Sequence, residues 1–144
     1  MKIITDLDIL SVRCNDVPWD MSQKSMPVGW TRLLTYLKSH KETAVGISAI
    51  QLGIDLRMCC FWNKNVIETL INPNVIEWSA KINLREEYCL SLPNKGYTVE
   101  RSDWIVVRDD THMKPQKYEG WMARVVQHEI DHLNGITIKD REIK

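Results

Sequence analysis

The sequence predicts an α+β domain: small, mainly antiparallel β-sheets packed around a central helix that lies late in the chain. Three observations carry this reading. Over residues 121–134, Met122, Val125, Val126, Ile130 and Leu133 give a helical apolar stripe, and Gly135 stands where a helix is capped. Upstream, residues 57–62, 68–71 and 75–78 are short runs rich in branched and aromatic side chains, broken by Asn63, Asn65, Asn72 and Pro73. Finally, 144 residues with 44% apolar and 26% charged side chains suffice for one core of their own. No repeat or linker-like shift divides the chain, so residues 1–144 are expected to form a single domain.

In chain order, the first 25 residues read as irregular and wrap-like, with Pro18 and Trp19 as packing points. From about Met26, Trp30, Leu33, Leu34 and Leu37 recur at helical spacing, and that helix ends near His40 or Lys41. After a segment running from Gly46 to Gly53 come the three β runs. A further strand pair is expected over residues 97–101 and 104–108, with Ser102-Asp103 between them, and residues 109–116 read as a loop. The six tryptophans, Trp19, Trp30, Trp62, Trp78, Trp104 and Trp121, fall on apolar faces, so most are expected in the core and none is assigned to substrate.

Composition narrows the function. Lys+Arg and Asp+Glu both number 19, so the basic excess of a phosphate-neutralising nucleic-acid binder is missing. The most apolar stretches, residues 44–54 and 58–62, fall short of the ~20 residues a membrane span needs. Asp6 and Asp8 stand where a signal peptide needs its apolar run, so a cytoplasmic protein is expected. Cys14, Cys59, Cys60 and Cys89 show no paired spacing, and a reducing compartment leaves them as thiols.

Chemistry concentrates in Gln127-His128-Glu129-Ile130-Asp131-His132, which contains His-Glu-x-x-His. Histidines four apart share one helical face, so both imidazoles reach a single ion with Glu129 beside them. Downstream supplies no familiar third ligand: the longer pattern has its Gly135 but meets Ile138 where a histidine belongs. The third ligand is therefore upstream. Spacing alone leaves Cys89, Cys59, Cys60, Cys14, His112, His40 and scattered carboxylates open, with Cys89 modestly ahead. Cys59 and Cys60 read as core, and His112 as an exposed turn residue.

Three segments together resemble the peptide deformylase family. They are Ala44-Val45-Gly46-Ile47-Ser48-Ala49-Ile50-Gln51, Glu87-Tyr88-Cys89-Leu90-Ser91, and Gln127-His128-Glu129-Ile130-Asp131-His132-Leu133-Asn134-Gly135. Ala44, Ser48 and Tyr88 depart from the family's Gly, Ala and Gly. The resemblance implies metal ligation by Cys89, His128 and His132, and a fourth position left for water, the mark of a catalytic site. It implies Glu129 as the proton carrier and oxyanion stabilisation by the Gln51 amide and the Leu90 backbone N–H. Substrate is expected along Gly46 and Ile47 with Tyr88 at the pocket rim, while Gln127 and Asp131 are expected to orient the ligands.

The activity implied is removal of the N-formyl group from the initiator methionine of nascent polypeptides. The cofactor is one divalent ion, Fe2+ in the cell, with Zn2+, Ni2+ or Co2+ as substitutes. A monomer that contacts the ribosome transiently and binds neither nucleic acid stably nor membrane is expected. The chain ends nine residues after Gly135, which suggests a short form similar to those of some bacteriophages, acting in the host cytoplasm. Two alternatives stand beside it: a small His-Glu-x-x-His metallopeptidase, and a structural zinc module completed by His112 or Cys14.

Overall fold

In the computed structural model, which describes residues 2–144, hydrogen bonding sorts the strands into three antiparallel sheets around one helix. The chain runs α1 (Leu7–Leu10), α2 (Trp30–Ser39), β1 (Gly46–Ser48), a 3-10 turn (Ala49–Leu52), β2 (Met58–Asn63), β3 (Val66–Ile71), β4 (Asn74–Trp78), β5 (Ile82–Cys89), β6 (Leu92–Ser102), β7 (Trp104–Arg108), β8 (Gln116–Glu119) and α3 (Gly120–Leu133). Sheet orders are β1-β2-β3, β4-β7-β8 and β5-β6. The α+β architecture matches the fold class predicted from the sequence. No helix among the described residues is long and apolar enough to cross a membrane.

Strand β2 divides the interior. Successive side chains alternate between faces, so Cys59 and Phe61 enter one apolar cluster while Met58 and Cys60 enter another. The first cluster takes Ala123, Val126, Ile130 and Leu133 from α3, with Leu70 and Ile105. The second takes Leu33, Tyr36 and Leu37 from α2, with Ile47 and Ile71. Each large apolar side chain so buried contributes about 1.5–3 kcal/mol. Helix α3 is thereby clamped between β1, β2 and the strands of the other sheets.

The C-terminal end of α3 is fixed by specific chemistry. Arg57, itself buried, donates from Nη1 to the Leu133 carbonyl at 2.7 Å, placing positive charge at the negative end of the helix. Gly135 follows with φ +75°, and a Cβ there would stand 2.7 Å from the Ser11 carbonyl carbon. Only glycine combines that backbone conformation with so close an approach.

Several expectations need correction. Helix α2 starts at Trp30, not near Met26, because Gly29 at φ +90° breaks the preceding turn. Residues 97–101 and 104–108 are strands but not partners: β6 pairs with β5, and β7 lies between β4 and β8. One residue, Asp103, separates β6 from β7, too few for a hairpin turn. Pro18 is exposed, whereas Trp19 packs against the second apolar cluster and Cys14 and Val17 are buried beside it in the chain. None of the six tryptophans is fully buried; Trp78 is 64% and Trp121 59% exposed, since both stand on outward faces.

Candidate metal centre and cavity

Two elements meet at the site. From α3, the four-residue spacing puts His128 and His132 on one face, their ring centroids 5.2 Å apart. From β5, strand alternation turns Glu87 and Cys89 inward and leaves Tyr88 66% exposed. The pairing of β5 with β6 shifts between Glu87 and Cys89, an irregularity that re-aims the cysteine at the end of the strand. Cys89, His128 and His132 then offer ligand atoms all within 4.8 Å of one another. Cys89 Sγ stands 3.3 Å from His132 Nε2.

The donor chemistry fits a divalent transition metal. A thiol and two imidazoles are the borderline-soft set such ions prefer. Burial, together with the charges of His128 and Arg101, pushes the His132 pKa well down, so its ring stays neutral with a lone pair to give. Its Nδ1 is buried without a hydrogen-bond partner. His128 is oriented differently. Its Nδ1 lies 3.0 Å from Glu87 Oε1, which leaves Nε2 as the coordinating atom. Burial alone would depress the His128 pKa, but in the metal-free chain hydrogen bonds to Cys89 and Glu87 and the Glu129 charge raise it to about 10, and a bound cation would displace that proton.

Glu87 is the residue the sequence reading quoted without giving it a role. Its carboxylate receives His128, Arg101 from Nε and Nη2 at 2.9 and 3.0 Å, and Arg124. Burial would raise its pKa; the hydrogen bonds from His128 and Arg101 override that and hold it well below the usual carboxylate range. The available signal was period two along β5, which puts Glu87 on the face of Cys89.

Glu129, next to His128 on α3, is buried. The Ser48 hydroxyl lies 3.0 Å from its Oε1 and 2.9 Å from its backbone carbonyl. Burial raises the Glu129 pKa, partly offset by His128 and Ser48. A Cβ on Gly46 would come within 2.8 Å of Glu129 Oε2, so the glycine is what makes room for the carboxylate. Gln51 is held from both ends: its Oε1 accepts from the Ser48 N–H at 3.0 Å, and its Nε2 donates to Ser91 Oγ at 3.1 Å and lies 3.7 Å from Cys89 Sγ. That fixes the amide with its N–H side toward the cysteine.

These groups open onto a cavity of about 410 Å³ whose walls include Gly46, Gln51, Tyr88, Cys89, Leu90, Trp121, His128 and Glu129. Of the other expected site residues, Ile47 turns its side chain into the second apolar cluster and does not line the cavity. Gln127 does not reach a ligand; it exchanges hydrogen bonds with the Ser102 backbone and ties α3 to β6. Asp131 is separated from His128 by two intervening residues, binding Arg101, which binds Glu87. His112 is held by Asp109 and Thr111, and among the described residues neither it nor Cys14 joins the metal-ligating group.

An α+β domain whose His-Glu-x-x-His helix presents two imidazoles to a strand-borne cysteine carries a ligand set suited to a metalloprotein. The sequence profile of the family described as polypeptide deformylase matches residues 1–144, and the chain belongs to that family. A peptide deformylase of Thermotoga neapolitana is 40% identical over 100 residues, covering 67% of this chain and 61% of that relative. The crystal structure of peptide deformylase from Thermotoga maritima superposes with a TM-score of 0.85 at 32% identity, covering 99% of this chain and 97% of that one. A probable peptide deformylase from Synechococcus phage S-SSM7 gives 0.83 at 29% identity, covering 98% and 99%.

Proposed function

We propose that this chain removes the N-formyl group from the initiator methionine of nascent polypeptides, releasing formate, with residues 1–144 acting as one catalytic domain. The observation that carries the reading is the meeting of Cys89, His128 and His132, with Cys89 and His128 lining the same cavity as the buried carboxylate of Glu129, in a member of the deformylase family. Cys89, His128 and His132 would hold the ion; bound there, it supplies a Lewis acid and brings the pKa of water from 15.7 toward ~7.

The chain's own residues do the rest. Glu129 accepts the proton of the attacking water and delivers it to the leaving amine, so a C–O bond forms, the C–N bond breaks and formate departs. Gln51 Nε2 and the Leu90 N–H donate to the formyl oxygen as it gains negative charge, each such donor being worth about 2.7–4 kcal/mol. Strand β1 has β2 on one side only, so its free edge at Gly46 and Ile47 accepts an extended peptide as an added strand. Tyr88 forms part of the rim.

Membership of the deformylase family supports Fe2+ as the cellular ion, and the mixed nitrogen and sulfur donors admit Zn2+, Ni2+ or Co2+ in its place. Formyl-Met nascent chains, met through transient ribosome contact in the cytoplasm by a monomer, complete the reading. A structural zinc module is disfavoured because neither Cys14 nor His112 joins the ligand group. The test is formate release from formyl-Met-Ala-Ser by the Fe2+-loaded protein, with acetyl-Met-Ala-Ser as control. Turnover of the formyl peptide alone is expected; turnover of neither overturns the reading.

A further inference from the structure

We propose that Arg141, on the segment following α3, is a positioning residue for the metal centre, acting on His128 through Asp131, Arg101 and Glu87. The inference rests on the reading that His128 is a metal ligand. Its basis is an unbroken line of charge-assisted hydrogen bonds. Arg141 places Nε 2.6 Å from Asp131 Oδ2 and Nη2 2.9 Å from Oδ1. Asp131 Oδ2 also takes Arg101 Nη1 at 2.5 Å. Arg101 grips both Glu87 oxygens, and Glu87 Oε1 receives His128 Nδ1 at 3.0 Å.

The geometry makes Arg141 more than an end link. Arg101 faces two buried carboxylates at once, Glu87 through Nε and Nη2, and Asp131 through Nη1 alone. A buried carboxylate without full compensation draws on any donor within reach. The two-point contact from Arg141 satisfies both Asp131 oxygens, so Arg101 keeps its fork on Glu87. Without Arg141, Asp131 competes for Arg101, and the grip on Glu87 that orients the His128 ring loosens.

The position of Arg141 does not depend on its own side chain. Ile143 N–H donates to the Thr98 carbonyl at 2.9 Å and Glu142 bridges Val99, so the segment is docked on β6 by backbone. The Arg141 side chain is 43% exposed, so its removal opens no sealed cavity.

The experiment measures Zn2+ affinity by competition with a chromophoric chelator for the parent, Arg141→Ala, Arg141→Lys and Asp131→Asn, with metal-free melting temperatures alongside. Loss of a hydrogen-bonding partner just outside the ligands typically costs 10–100-fold in metal affinity, so from three links beyond that partner Arg141→Ala is expected to cost less, about 3–10-fold. Arg141→Lys, which keeps the charge, recovers most of it, and Arg141→Ala adds nothing further in the Asp131→Asn background. A purely structural role lowers the metal-free melting temperature and leaves Zn2+ affinity within twofold of the parent; that result overturns the proposal. So does equal weakening by Ala and Lys, or full additivity with Asp131→Asn. Should Arg141→Ala fail to fold, Arg141→Gln carries the same comparison. Formate release is scored separately, so tight Zn2+ binding without turnover refutes the proposed activity while leaving this inference intact.

Discussion

Gly46 and Ser48 bracket the Glu129 carboxylate, one by yielding space and the other by a hydroxyl contact, so small changes there act on chemistry more than on folding. Gly46→Ala would push its Cβ against Glu129 Oε2 while the strand backbone stays extended. Since a misplacement of ~1 Å costs on the order of 10²-fold in rate, kcat for the formyl peptide should fall by about that factor with little change in melting temperature. Comparable loss of both would show that the contact is structural. Glu129→Gln should cost about 10²–10⁴-fold in formate release with metal content unchanged, as measured by elemental analysis. Full activity in that variant would remove Glu129 from the mechanism. At this scale spacing was informative for His128, Glu129 and His132, which one helical motif holds together, whereas Cys89 stood out only through the resemblance of its segment to a known family. It was silent on Arg101, Arg124 and Arg141, whose partners lie on other elements and follow no fixed sequence spacing.

Helix α3 and strands β2 and β3 were legible because their buried faces are apolar and their periods are clean. Strand β5 was not read as a strand, and the reason is physical. Its inward residues Asn83 and Glu87 serve the polar network against α3, while Ile82 and Leu84 lie on the exposed face. The usual alternation is inverted, so hydropathy points the wrong way. The end of α3 offers a test at this scale. Gly135→Ala places a side chain at φ +75° and within 2.7 Å of the Ser11 backbone, which should cost about 1–3 kcal/mol in denaturant unfolding. A midpoint unchanged from the parent would mean that the segment around Ser11 yields without cost.

Across the whole molecule, the buried thiols set an alkaline limit on stability. Burial, with Asp55 nearby, pushes the Cys14 pKa from 9.0 up to about 11, and burial pushes Cys60 from 9.0 up to about 12. Both hold their protons more tightly folded than unfolded, so their contribution is complete below about pH 9 and drains as pH rises toward 11 and 12. The melting temperature should therefore decline from about pH 9 upward, and less steeply in Cys14→Ala; an identical decline in that variant would assign the loss to other groups. The fold as a whole serves to carry a sulfur on β5 to two imidazoles on α3, elements joined only through tertiary packing. X-ray absorption at the metal edge of the Zn2+-loaded protein tests that directly. One sulfur at ~2.3 Å, two imidazole nitrogens at ~2.0–2.1 Å and one light solvent-derived atom are expected, with the sulfur lost in Cys89→Ser. A shell without sulfur, or one closed by four protein side chains, would contradict the account.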